Sequence, residues 1–113
     1  MNKKVLEEAV YEAVKKLLNE DGFINLKSRP VTKDACDPDD INELFTYYWD
    51  LYRQYKDYIV GDDLRLLLKS FRRLMQFQDL AYKQQTPVPG VIIDGERRIL
   101  DRFIGRATLY SML

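Results

Sequence analysis

Leu64-Arg65-Leu66-Leu67-Leu68-Lys69-Ser70-Phe71-Arg72-Arg73-Leu74-Met75-Gln76-Phe77-Gln78-Asp79-Leu80-Ala81-Tyr82 is the stretch on which the fold class turns. Leu64, Leu67, Leu68, Phe71, Leu74, Met75, Ala81 and Tyr82 recur mostly three and four apart, interrupted by the polar Gln78. That spacing suits one face of a helix and no face of a strand. All eight are therefore expected in the core of one long helix, which Asp62 can cap after a break at Gly61. Thr86-Pro87-Val88-Pro89-Gly90 should end it, because two prolines lack amide donors and favour a stiff extended path. The composition there predicts a corner at which the carboxy-terminal element can shift.

Toward the amino terminus, Asp37-Pro38-Asp39-Asp40 has the chemistry of a helix start. A carboxylate can cap, proline fits the first turn, and acids suit the positive end of the helix dipole. This predicts a helix from Pro38 to Tyr58. Between Lys3 and Asn19 the apolar pairs Val5-Leu6, Ala9-Val10, Ala13-Val14 and Leu17-Leu18 predict another one-sided helix, stopped at Gly22. Phe23 to Lys27 and Arg29-Pro30 read as a short extended segment and loop.

Beyond Gly90 two readings stand, since Asp94-Gly95 is both a hairpin-turn dipeptide and a helix start. Ile99, Leu100, Phe103, Ile104, Ala107 and Tyr110 fit one helical face, which favours a helix from about Glu96. The expected fold is therefore all-α: a compact bundle of about four helices with one or two short extended segments. The 113 residues fit a single domain spanning 1–113, since one core of this size suffices.

The most unusual composition lies at 44–58, where Phe45, Tyr47, Tyr48, Trp49, Tyr52, Tyr55 and Tyr58 crowd one helix. At about 100° per residue they fan over more than half its circumference. A single core-facing stripe needs roughly 100°, so part of this arc should meet a partner. Tyr47, Trp49, Tyr52 and Tyr55 are the expected anchors, because Tyr and Trp bury large area at small entropic cost. The same aromatics also suit the most buried helix of the fold.

Net charge is zero but unevenly distributed, with 14 acidic and 9 basic residues in 1–63 against 4 acidic and 9 basic in 64–113. Arg65, Lys69, Arg72 and Arg73 form a basic stripe on the long helix. Arg97, Arg98, Arg102 and Arg106 follow on the last segment. They are candidate contacts for nucleic acid or an acidic partner, or else solvated faces. If Asp94-Gly95 turns a hairpin, Arg97 and Arg98 would sit behind helical elements in an order that resembles a winged helix. That resemblance implies a nucleic-acid-binding regulator.

Catalysis is disfavoured by what is missing. There is no His and one Cys, so the common triads and zinc sites cannot be assembled, and no glycine-rich phosphate loop occurs. Cys36 cannot form an internal disulfide, which suits a reducing compartment. Asp37, Asp39 and Asp40 lack the glycine and glutamate of a calcium loop, Asn42 and Tyr48 standing there instead. No apolar run reaches about 20 residues, and the basic start at Lys3-Lys4 lacks a signal peptide's apolar segment. The expectation is a cytoplasmic, non-catalytic protein–protein interaction protein of adaptor or inhibitor type. It needs no metal, cofactor or small-molecule substrate, and binds another protein or itself as a homo-oligomer. A structural subunit of an assembly such as a phage particle is the remaining alternative.

Overall fold

The computed structural model describes Val5, Glu8 and residues 30–112. Val5 and Glu8 are helical; the rest of the expected helix over 3–19 and the segment 23–29 lie outside the described residues. The described part is mainly helical: α1 (Pro38–Tyr55), α2 (Gly61–Gln84) and α3 (Gly90–Met112). Two short strands, β1 (Ala35–Cys36) and β2 (Val88–Pro89), accompany them.

α1 starts where the acids predict. The Asp37 carboxylate accepts from the Asp40 amide, and the Asp40 carboxylate accepts in return from the Asp37 amide, satisfying two donors of the first turn. Pro38 occupies the first turn. The expected end at Tyr58 is met in a tightened form, the last three residues being a 3₁₀ turn, Lys56–Tyr58. Asp62 does not cap α2. Val60 takes the cap position in an extended conformation, and Gly61, at φ +61°, makes the turn that a side chain would resist.

α3 corrects the sequence reading most. It begins at Gly90 and runs through Asp94-Gly95, so neither a hairpin nor a start at Glu96 occurs, and the winged-helix order goes with the hairpin. Ile93, Leu100, Ile104 and Ala107 are buried at helical spacing, so the apolar stripe reaches back past the glycine. Asp94 turns its carboxylate to Arg97 (2.7 Å) and Arg98 (3.0 Å), three and four residues on, supporting the helix instead of breaking it.

The corner before α3 is tied down. β1 and β2 pair antiparallel in the register Ala35 to Pro89 and Cys36 to Val88, and the Gly90 amide donates to the Asp34 carbonyl at 2.7 Å. Val88 and Gly90 are buried, which gives the expected hinge no room to swing as built. Each helix packs on the other two. Their shared core is Ile41, Leu44 and Tyr48 from α1, Leu67, Phe71, Leu74 and Ala81 from α2, and Ile93, Leu100, Phe103, Ile104 and Ala107 from α3, closed by Cys36, Ile59 and Val88. Burial of each large aliphatic among them stabilises the fold by about 1.5–3 kcal/mol.

Candidate interaction surface

The aromatic helix divides its rings between interior and surface. Tyr48 is fully buried, and its hydroxyl donates to Asp101 of α3 at 2.5 Å. Tyr47 meets Tyr48 edge-on, ring centroids 5.1 Å apart. Phe45, Trp49 and Tyr52, by contrast, line the α1 flank that faces α2, and all three surround Phe71. Phe45 stacks on Trp49 at 5.7 Å and Trp49 lies 5.1 Å from Tyr52. The Phe71 ring presents edge contacts to Phe45 and Trp49 at 5.3 Å and to Tyr52 at 5.9 Å. Such offset and edge contacts each add about 0.5–1.5 kcal/mol beyond area burial.

Of the four expected anchors, Tyr47, Trp49, Tyr52 and Tyr55 are all half-buried against the core. Trp49 and Tyr52 share the α2-facing seam, whereas Tyr47 belongs to the other flank, so the four do not form one patch. On α2, the row next to Phe71 consists of residues that the periodicity assigns to the core. Leu68, Met75 and Tyr82 are exposed by 40%, 56% and 73%, a correction to their expected burial. Their seven-residue spacing was the available signal. Phe71 and Gln78 turn to α1, Gln78 donating to the Pro38 carbonyl at 3.2 Å, and Leu68, Met75 and Tyr82 form the adjoining exposed row. Tyr82 and Met75 also border a shallow groove with Pro38, Gln78 and Asp79.

Five of the eight candidate cations pair with acids of the chain. Arg73 reaches Glu96 at 2.6 Å, and the buried Glu96 also accepts from Ser70 at 2.7 Å. Arg106 pairs with Asp63 at 2.9 Å, Arg65 with Asp62 at 3.4 Å, and Arg97 and Arg98 share Asp94. Lys69, Arg72 and Arg102 are exposed and make no ion pair with a described residue. Those arginines that hold the helices together are occupied by internal acids, which a single sequence cannot reveal.

The capping acids behave as structure. Lys33 sits 2.8 Å from Asp40. That contact, with the Asp37 amide, holds the Asp40 carboxyl below its ordinary range and raises the Lys33 ammonium above its own. Burial pushes the Cys36 thiol up, away from the thiolate a nucleophile needs. Among the described residues no three His, Cys, Asp or Glu side chains gather as a metal site would require, and no helix is long and apolar enough to cross a membrane. Compared with family models, curated proteins and solved structures, the chain matches none.

Proposed function

We propose that this chain is a small non-catalytic protein-binding domain of the cytoplasm, an adaptor or inhibitor type, that docks through the seam between α1 and α2. The observation carrying the reading is continuity. Trp49 and Tyr52 of α1 are half-buried around Phe71 of α2, and the exposed Leu68 and Met75 stand three residues before and four after Phe71 in that helix, with Tyr82 seven further on. Scattered exposed leucines are ordinary, but an aligned apolar row near an indole and a phenol is the composition of a binding patch. The lone, buried Cys36 and the absence of His from the sequence support the non-catalytic part. The part-buried pairs of Arg73, Arg97 and Arg106 with Glu96, Asp94 and Asp63 occupy three of the eight candidate cations, which favours protein binding over a nucleic-acid role.

Alanine substitution at Tyr47, Trp49, Tyr52 and Tyr55, scored in parallel for thermal stability and for association, tests the reading. Trp49 and Tyr52 are expected to weaken association by about 2 kcal/mol or more as hot spots, with some loss of stability through Phe71. Tyr47 and Tyr55 are expected to act on stability. If all four lose stability and none loses binding beyond that, the aromatic helix is core and the assignment fails.

A further inference from the structure

We infer that the occupant of this seam is a second copy of the chain, with α2 packing antiparallel against its counterpart about a two-fold axis beside Met75. The inference rests on the seam being a binding surface and adds the identity of its partner. Two rows seven residues apart run along the outer side of α2: Leu68, Met75 and Tyr82, and, adjoining it, Arg65, Arg72 and Asp79. A seven-residue repeat keeps a seam facing a partner helix over several turns.

Charge complementarity selects a copy of the same chain and fixes its direction. With the axis beside Met75, Leu68 lies opposite Tyr82 of the second copy, and Arg72 lies opposite its Asp79. Symmetry repeats both contacts, since a two-fold interface applies the same patch to itself. Parallel pairing in register would set Arg72 against Arg72 and Asp79 against Asp79. Arg72 makes no ion pair with a described residue. Asp79 meets Lys83 at 2.9 Å, both side chains being more than 60% exposed, so that contact is weak and exchangeable. The half-buried Trp49 and Tyr52 surround Phe71, which lies three residues after Leu68 and four before Met75, and would be covered by the same approach.

Sedimentation velocity of the full chain from about 1 µM to about 1 mM, the range in which weak to moderate affinities register, tests the pairing. Wild type is expected to pass from monomer to dimer. Arg72→Asp or Asp79→Arg alone turns two attractive contacts into two repulsive ones and should weaken dimerisation roughly tenfold. An equimolar mixture of the two variants should recover it, because each reversed residue then faces an opposite charge. Both positions are exposed, so folding should be unaffected, and circular dichroism checks this. A monomer at every concentration, a dimer indifferent to both reversals, or a mixture without recovery each overturns the proposal. A photo-cross-linker at position 75 separates the two levels. Adducts to a different protein from a monomeric wild type would remove the second copy and leave the seam as a binding surface, whereas no adduct of either kind would remove both.

Discussion

Adding one methyl group at Gly90 should unfasten the start of α3. A Cβ built there would lie 1.6 Å from the Lys33 carbonyl oxygen and 2.8 Å from its carbon, distances no side-chain atom tolerates. The obstacle is backbone, so relief requires the strand Ala35–Cys36 to separate from Val88–Pro89 by well over 1 Å. That movement breaks the 2.7 Å bond from the Gly90 amide to Asp34 and loosens the two-residue pairing beside it. Two or three hydrogen bonds at about 1 kcal/mol each, and partial re-exposure of the buried Cys36 and Val88, bring the loss to about 3 kcal/mol. An opposing gain of up to about 1 kcal/mol from replacing a helical glycine leaves Gly90→Ala destabilised by roughly 2 kcal/mol or more. Gly95, five residues on in the same helix, has open space around its would-be Cβ. Gly95→Ala is therefore expected to stabilise by about 0.5–1 kcal/mol. Urea unfolding of the two variants beside wild type reads both signs. Equal stabilities within about 0.5 kcal/mol, or a destabilised Gly95→Ala, would refute the start of α3 at Gly90 and its course through Asp94-Gly95.

Tyr48→Phe removes the hydroxyl that donates to the buried Asp101 and should cost about 1.5–3 kcal/mol, read by chemical denaturation. Gln85 ends α2 at φ +52°, a conformation that glycine adopts freely, so Gln85→Gly should raise stability by up to about 1 kcal/mol in the same assay. The Lys33–Asp40 contact has a defined pH window. Asp40, with its folded value depressed, contributes above about pH 4 and loses the contribution as pH falls through that value. Lys33, with its value raised, contributes below about pH 10 and loses it as pH rises. The stability difference between wild type and Lys33→Met should therefore be flat from about pH 5 to 9 and shrink below about pH 4, as thermal melts across pH will show.

Helix identity was legible in the sequence because it rests on local chemistry. The reciprocal bonds of Asp37 and Asp40, the proline after the cap and the apolar spacing of α2 each act within one or two turns. Features that depend on distant chain were not. Asp94-Gly95 has the same local chemistry in a turn and in a helix. What decides between them is burial of Ile93 against the rest of the core and the pairing of Val88 and Pro89 with residues about fifty positions earlier. Leu68, Met75 and Tyr82 illustrate the same limit for the site. Their periodicity marks a face of α2, but only the placement of α1 along Phe71 shows that this row lies outside the packed seam. Likewise Arg73 and Arg106 read as free cations until α3 and the start of α2 bring Glu96 and Asp63 to them.

A photo-reactive phenylalanine analogue at position 75 of the full chain, compared with the same group at the exposed Arg98, tests docking through the α1–α2 seam. After irradiation in a lysate of the organism that encodes the chain, position 75 should give a discrete protein adduct and position 98 none. Trp49→Ala should abolish that adduct while circular dichroism shows the helices intact. Equal labelling from both positions, or an adduct indifferent to Trp49, would contradict docking through the α1–α2 seam.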